Sequence, residues 1–284
     1  MVGNNKKKFT EKTIMFHEIT SVSNPKIKEI VKLRDGNHRR RTGLFLIEGV
    51  REVRRAIGTN IEIIEVYSLN YRDGWFRDLI ANRPEISTYL VSEAVLRKIS
   101  FGNRLEGVVA VARTPDQSLE MFEQMLKSVG DPLLAVLEGV EKPGNVGAMF
   151  RSGDGAGLNG IMIADGQTDL FNPNTIRSSL GTVFCLPAVE CGSAEMFAWI
   201  RDREIGMAVA RCDGAIPYTD YDFRKPTAIV LGSESDGLTD LWNGEGITAI
   251  SLPMLGVADS LNVSAAAAVL FYEARRQRGL RIDN

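Results

Sequence analysis

The chain has 284 residues, of which 44% are hydrophobic and 25% are charged, and its formal net charge is −2. This composition is typical of a soluble globular protein of about two domains and argues against a disordered or fibrous chain. The three cysteines form no CxxC pair, which argues against a disulfide framework or a zinc site. No signal peptide is recognisable, and no stretch approaches the ~18 apolar residues of a membrane helix. We therefore expect a cytoplasmic protein that uses neither a membrane nor a metal.

The small net charge hides an asymmetry along the chain. Residues 1–60 carry 14 Lys or Arg against 6 Asp or Glu, whereas the remainder carries 20 against 30. The stretch NHRRRTG (37–43) alone is more typical of a solvated loop. Together with nearby basic residues it becomes a candidate phosphate-binding surface. These neighbours are Lys26, Lys28, Lys32, Arg34, Arg51, Arg54 and Arg55.

Residues 17–116, after a basic tail over 1–16, read as a compact α/β unit. Apolar periodicity and capping signals predict helices in NPKIKEIVKL, VREVRRAI and SEAVLRKIS, and strands in GLFLIEG, IIEVYS and GVVAVAR. A further helix ending at Gly130 and Pro132 connects this unit to the rest of the chain. We therefore expect residues 117–131 to be a linker between two domains.

Residues 132–284 show a second alternation of strands and helices. The predicted strands are 133–138, 160–164, 206–210, 228–232 and 247–252, and the predicted helices are 145–156, 173–180, 194–204 and an alanine-rich helix after residue 262. The strands are continuously apolar, which indicates a mostly parallel sheet covered on both faces.

The sequence GAGLNG (155–160) satisfies the GxGxxG pattern of dinucleotide-binding sites. That pattern requires a strand before the glycines and a helix after them, so that the helix N-terminus meets the pyrophosphate. Here a predicted helix precedes the glycines and a predicted strand follows them. We therefore expect these glycines to end a helix and begin a strand.

Three polar loops lie at the carboxyl ends of predicted parallel strands, where open α/β sheets bind ligands. The first loop leads into EKPGNVGAMFRSGDGAG and carries Asn145 and Arg151. The second lies within AIVLGSESDGL, where close backbone approach to a ligand would explain Gly232. The third is the ADSLNVS segment before the last helix. Each residue has a structural alternative, since Asn145 suits a helix cap and Leu252 and Leu261 suit a core.

The three segments resemble the signature motifs of the SpoU (TrmH-type) RNA 2'-O-ribose methyltransferases of the SPOUT superfamily. The matching patterns are ExxxxPxNxGAxxRSxDxxG, IVLGSExxGL and ISLPMxGxxxSLNVSxAxAVLxYEAxRQR, in that order over about 150 residues. The segments ITSVSNPKIKEIVKL and FLIEGVREVRRAI also resemble the small ribosomal-protein-like domain that binds substrate in this family. The resemblance implies an α/β protein whose C-terminal parallel sheet contains a deep trefoil knot, with an N-terminal RNA-binding α/β domain.

The resemblance also assigns residues to roles. It implies that the knot binds S-adenosylmethionine and releases S-adenosylhomocysteine, through Leu231, Gly232, Leu252, Met254, Ser260, Leu261 and Asn262. It implies a catalytic set of Asn145, Arg151, Glu234 and Asn262. Because a guanidinium is hard to deprotonate, we expect Arg151 to position phosphate rather than to act as a base. We expect RNA to contact Lys26, Lys28, Arg39, Arg40 and Arg41.

The resemblance leaves the substrate open between ribosomal RNA, which we favour, and tRNA. A non-catalytic RNA-binding protein is a further alternative, against which the intact polar motif residues argue. The family also implies a homodimer formed through the C-terminal domain. Small and apolar residues on the last helix, including Ala265, Ala268, Val269 and Tyr272, are compatible with such an interface, although they could equally pack on the sheet of their own chain.

Overall fold

The computed structural model describes residues 17–59, 61–70, 74–101, 106–166 and 168–279, so the predicted basic tail lies outside the described residues. The strands are β1 His17–Ile19, β2 Leu44–Glu48, β3 Ile63–Ser68, β4 Ser87–Val91, β5 Val108–Arg113, β6 Leu133–Glu138, β7 Gly160–Ala164, β8 Ala188–Cys191, β9 Gly206–Ala210, β10 Ile216–Pro217, β11 Thr227–Leu231 and β12 Ile247–Ser251. The helices are α1 Pro25–Lys32, α2 Gly36–Thr42, α3 Val50–Ile57, α4 Gly74–Asn82, α5 Glu93–Ile99, α6 Leu119–Leu126, α7 Pro143–Ala156, α8 Pro173–Ser178, α9 Ser193–Asp202 and α10 Val263–Gln277.

The N-terminal unit is a mixed five-stranded sheet in the order β1-β4-β3-β5-β2. Strands β1, β4 and β3 pair in parallel, whereas β5 runs antiparallel to both β3 and β2. The apolar patterns predicted β2, β3, β5, α1, α3 and α5, but α2, α4, β1 and β4 were not predicted. Helix α2 has no apolar pattern and depends on its caps: the Asp35 side chain accepts from His38 N at 2.9 Å, and Gly43 ends the helix at a φ of 63°.

The C-terminal unit confirms the predicted parallel sheet. Seven strands lie in the order β10-β12-β9-β11-β6-β7-β8, and all of their pairings are parallel. Alternate strand residues point to opposite faces, so Ala135 packs with the α7 and α10 side while Leu134 packs with α6 and α9. The trefoil knot implied by the family resemblance stays a prediction.

The glycines of GAGLNG lie between the end of a helix and the start of a strand, as predicted. Helix α7 ends at Ala156, Gly157 follows with a left-handed φ of 69°, and β7 begins at Gly160. The segment therefore connects a helix to a strand and does not present a helix N-terminus to a dinucleotide.

Residues 117–131 do not form a free connector. Their helix α6 buries Phe122 against the C-terminal sheet, and the Phe122 ring lies 5.7 Å from the ring of Trp199 on α9. A Cβ added to Gly160 would come within 2.6 Å of Phe122, so the helix sits directly on the first residue of β7. The segment is part of the C-terminal packing.

The two units share a buried interface. Phe45 of β2 stacks on Phe171 with ring centroids 4.3 Å apart, and the Phe184 ring lies 6.1 Å from that of Phe45. Beside these rings, Arg39 of α2 forms an ion pair with Asp169, with a shortest distance of 2.5 Å. The interface thus fixes the N-terminal unit next to the loop that leaves the carboxyl end of β7.

Candidate active site

A cavity of about 580 Å³ opens at the carboxyl ends of β9, β11 and β12. The second and third motif loops supply most of its wall, and the turn after β9 and Lys142 of the first motif loop supply the rest. Its lining consists of Lys142, Ala210, Arg211, Cys212, Asp213, Leu231, Gly232, Ser233, Glu234, Asp236, Gly237, Leu238, Leu252, Met254, Asp259, Ser260, Leu261, Asn262, Val263 and Ala266. Parallel strands that end at one sheet edge bring these loops together.

All seven residues predicted to bind the cofactor line this cavity. Leu231 is 2% exposed and belongs to the core as well, whereas Leu261 is 42% exposed and Leu252 is half-buried. Leu252 also packs against the hydrophobic core, so the core alternative stays open for it, whereas the exposure of Leu261 does not suit a core residue. The turn after β9, including Arg211 and Asp213, was not predicted, although it obeys the same rule that ligands bind beyond the carboxyl ends of parallel strands.

The loop after β11 is a tight hairpin that is anchored by a buried side chain at the end of β6. Ser233 N donates to Gly237 O at 3.0 Å, and Gly237 N donates back to Ser233 O at 3.2 Å. The buried Glu138 carboxylate, at the end of β6, accepts from Thr239 N at 2.8 Å and from Thr239 Oγ1 at 2.9 Å. Sequence analysis assigned Glu138 no role, and its signal was a carboxylate at the end of a continuously apolar strand.

The structure shows a reason for Gly232 within the protein itself, and the close approach of a ligand stays a prediction. A Cβ at this position would lie 2.3 Å from the carbonyl carbon and oxygen of Gly237 and 2.7 Å from Leu238 N. These distances are too short for any side chain. Glycine is therefore required because the hairpin folds back onto its own backbone, and Gly232 shapes the cavity rather than merely leaving room in it.

Three of the four predicted catalytic residues contact one another: Glu234 and Asn262 line the cavity, and Asn145 contacts them from outside the lining. The Asn145 amide nitrogen donates to Glu234 Oε1. The Asn262 amide nitrogen lies 3.3 Å from the same oxygen and 3.4 Å from Asn145 Oδ1. Residues from all three motif loops thus meet in one hydrogen-bonded cluster.

Asn262 also caps helix α10. Its Oδ1 accepts from Ser264 N at 3.0 Å and from Ser264 Oγ at 2.6 Å. Because the oxygen is used in capping, the amide nitrogen is directed towards Glu234. The polar segment before α10 therefore both begins the helix and orients a side chain in the cavity. Asn145, by contrast, is the third residue of α7, which starts at Pro143, and its side chain faces Glu234.

Arg151 is not part of this cluster. It follows Asn145 by six residues on α7, about 9 Å along the helix axis. Its side chain is exposed and does not line the cavity. The structure therefore separates the arginine from the other three motif residues and leaves it on the surface of α7.

The predicted RNA-binding residues have different environments. Arg40, Arg41 and Lys28 are exposed. Lys26 forms an ion pair with Glu65 and lies 4.8 Å from the centre of the Tyr89 ring. Arg39 must be corrected, because its side chain is only 5% exposed.

The guanidinium of Arg39 is fully engaged inside the protein. It binds both carboxylate oxygens of Asp169 and donates to Leu33 O and Arg34 O, each at 2.8 Å. Its role is therefore to hold α2 against the C-terminal unit and not to contact RNA. No group of three or more His, Cys, Asp or Glu side chains among the described residues could hold a metal ion.

The cavity suits a nucleoside cofactor in size and chemistry. Its volume is within the ~300–1,000 Å³ range of small-molecule sites. Leucine side chains offer flat apolar contacts, and the carboxylates of Glu234, Asp236 and Asp259 suit a ligand that carries positive charge. The fold and the site define an α/β enzyme that binds a small cofactor at a sheet edge and carries a separate N-terminal α/β domain.

Comparisons with known proteins identify the family. Residues 132–272 match the model of the SpoU rRNA Methylase family, and residues 24–110 match that of the MRM3-like substrate binding domain. Among curated relatives, the 23S rRNA (uridine(2479)-2'-O)-methyltransferase of Streptomyces viridochromogenes is 32% identical over 258 residues, which cover 87% of each chain. The chain belongs to the SpoU rRNA methylase family, as the three motifs predicted.

Solved structures agree with this assignment. A crystal structure of an RNA 2'-O ribose methyltransferase is 38% identical, with a TM-score of 0.77 and coverage of 92% of this chain and 99% of that one. The SpoU methyltransferase AviRb from Streptomyces viridochromogenes, crystallised with S-adenosylmethionine, is 30% identical, with a TM-score of 0.81 and coverage of 90% and 98%. The cofactor predicted from the motifs is thus the one bound in a structural neighbour. Among the described helices, none is long and apolar enough to cross a membrane.

Proposed function

We propose that this protein transfers a methyl group from S-adenosylmethionine to a ribose 2'-hydroxyl of ribosomal RNA in the cytoplasm. The observation that carries the proposal is the contact between Asn145, Glu234 and Asn262, one residue from each motif loop, at the cavity. The similarity to proteins named as 23S rRNA 2'-O-methyltransferases supports the choice of ribosomal RNA.

Bound in the cavity, S-adenosylmethionine supplies a methyl group activated by a sulfonium charge. The residues around it have to hold the acceptor ribose in line and orient one hydroxyl proton. Glu234 fixes the amide of Asn145 by accepting from its nitrogen. Asn145 Oδ1 lies 3.4 Å from the Asn262 amide nitrogen and, as a carbonyl oxygen, has a second lone pair for another donor. We assign Asn145 Oδ1 the acceptor role towards the 2'-hydroxyl, and Glu234 and Asn262 the role of positioning Asn145.

Arg151 acts on the RNA from outside the cluster. A guanidinium is a poor general base, so we assign Arg151 the role of stabilising negative charge on the RNA. Its exposed position on α7 suits a phosphate contact with the substrate. Arg40, Arg41 and Lys28 extend the basic surface on the N-terminal unit.

A homodimer completes the proposal. Along α10, Val269 and Tyr272 are 38% and 52% exposed, and Ala265 is exposed on the same side of the helix. The neighbouring helix α7 is held to α10 through Arg275, whose Nε donates to Ala156 O at 2.6 Å. A second copy seated on this apolar stripe lies beside the helix that bears Arg151. Sedimentation at micromolar concentration tests this, and a fully active monomer contradicts it.

The decisive experiment is methyl transfer from labelled S-adenosylmethionine to total RNA from a strain that lacks the protein, followed by mapping of the modified nucleotide. We expect label in ribosomal RNA at a ribose 2'-oxygen. Label confined to tRNA would reassign the substrate, and RNA binding without any transfer would indicate a non-catalytic protein.

Arg151→Ala provides the matched catalytic variant for this assay. We expect it to abolish transfer while leaving cofactor affinity and dimerisation unchanged, because Arg151 lies outside the cavity lining. Calorimetry with S-adenosylmethionine supplies the second readout. Near-normal turnover by this variant would remove Arg151 from the mechanism.

A further inference from the structure

Lys142 stands at the entrance to the candidate active site. It directly precedes Pro143, the first residue of α7, and it lines the cavity. Its side chain is 69% exposed, and its ammonium nitrogen lies 3.6 Å from Glu234 Oε2. An exposed positive charge therefore adjoins the carboxylate that contacts both Asn145 and Asn262.

Neither the helix nor the ion pair explains a lysine at this position. At the corresponding position before α1, α5 and α6, the residues Asn24, Ser92 and Ser118 each accept a backbone hydrogen bond, whereas Lys142 makes no such bond. A cation at a helix N-terminus also opposes the helix dipole. The contact with Glu234 is long and solvent-exposed, so it contributes little to stability.

The covalent structure of RNA supplies an explanation, given the function proposed above. The 2'-hydroxyl and the 3'-phosphodiester of a nucleotide are attached to adjacent ribose carbons. A 2'-hydroxyl placed at Asn145 therefore brings a phosphate charge to within a few ångströms of the same cluster. Lys142 adjoins that cluster through Glu234, and a lysine on its long flexible stem binds phosphate as a point charge.

We infer that Lys142 binds the phosphodiester on the 3' side of the target nucleotide and thereby positions the ribose for methyl transfer. Arg151 lies farther along α7 and contacts a different part of the RNA backbone. Lys142 is a positioning residue that acts on the substrate.

Lys142→Ala and Lys142→Arg test the inference in the full-length protein, with Lys225→Ala as the matched control. Lys225 is an exposed lysine just before β11, at the amino end of the sheet and opposite the cavity. We expect Lys142→Ala to raise the KM for RNA roughly tenfold, because the loss of one hydrogen bond to a charged group weakens binding by about that factor. The slope of log affinity against log salt should fall by roughly 0.7 to 0.9, as expected for one lost phosphate contact. Lys142→Arg should restore most of the affinity, and Lys225→Ala should match the wild type.

A substrate with a single neutral linkage identifies the phosphate. Once the target nucleotide is mapped, an RNA oligonucleotide carrying a methylphosphonate on its 3' side should bind the wild type more weakly than the natural RNA does. Lys142→Ala should bind the two RNAs equally, because the interacting pair is already broken. The inference would be overturned if the methylphosphonate lowered the RNA affinity of the wild type and of Lys142→Ala by the same factor. It would also be overturned if Lys142→Ala changed the cofactor affinity and left the salt slope of RNA binding unchanged. Absence of any methyl transfer by the wild type would instead contradict the proposed function.

Discussion

The domain interface and the cavity lie at the same edge of the C-terminal sheet but are built in opposite ways. At the interface, the stacked rings of Phe45 and Phe171 accompany an ion pair between the buried Arg39 and the partly buried Asp169. At the cavity, exposed amide and carboxylate groups meet on loops that are held from beneath by Glu138. One region has its polar groups satisfied internally, and the other presents them to a ligand.

This difference assigns separate tasks to the two regions. Because the interface is buried and its charges are paired, the N-terminal unit has a fixed position relative to the cavity. The basic residues that remain exposed on it, such as Arg40 and Arg41, therefore stand at a fixed distance from Asn145. Under the proposed function, RNA bound by these residues is therefore held in a set position relative to the cavity.

The strongest test of the comparison removes residues 1–116. The two-domain pattern in the sequence suggests that the remaining chain would keep its cofactor affinity. The structure leads us to expect the opposite, because Phe171, Ile176 and Phe184 lose their partners in a hydrophobic core that both units share. We expect loss of a cooperative thermal transition in circular dichroism and of calorimetric cofactor binding.

A truncated chain that unfolds cooperatively and binds S-adenosylmethionine as tightly as the full protein would show that the interface is dispensable. Such a result would show that the two units are independent domains, as the linker predicted from the sequence implied.

Arg39 and Arg40 are neighbours in the sequence but have different environments, so their substitutions test the comparison separately. We expect effects smaller than that of the truncation. Arg39→Ala leaves the partly buried Asp169 carboxylate and the carbonyls of Leu33 and Arg34 without their donor, and we expect a loss of about 2 kcal/mol in the free energy of unfolding. Arg40→Ala removes an exposed charge one residue away and should weaken RNA binding without changing stability. Chemical denaturation and salt-dependent RNA binding measure the two effects. Equal stability of the two variants would disprove the buried role of Arg39.

The arginine run also shows where prediction from sequence stops. Consecutive residues on a helix point about 100° apart, so Arg39, Arg40 and Arg41 cannot all face one ligand. The sequence did not reveal that residues 36–42 are helical, because α2 has no apolar periodicity. Nor did it reveal Asp169 as a partner, since the two residues are distant along the chain and only the tertiary fold brings them together.

The buried strands behaved differently. Strands β6, β7 and β9 begin and end where their apolar runs predicted, because a parallel strand covered on both faces must be continuously apolar. Short or half-buried strands such as β1 and β4 lack that signal and depend on their neighbours. For the site, the motifs predicted which loops converge and include Glu138, but they did not predict that its carboxylate anchors the loop after β11.

The smallest of these effects concerns the hairpin that shapes the cavity, and Gly232→Val tests it. A valine Cβ would overlap the Gly237 carbonyl, so the hairpin must shift at a cost of ~1–3 kcal/mol. Because the same hairpin carries Glu234, we expect S-adenosylmethionine affinity to fall at least ~tenfold while the protein stays folded. Gly130→Ala is the control, since a Cβ there meets no atom within 4 Å. Calorimetry and thermal unfolding on both variants separate binding from stability. If Gly232→Val binds the cofactor like the wild type, the hairpin does not define the cofactor site. The cavity would then no longer stand apart from the interface as the region that presents its polar groups to a ligand.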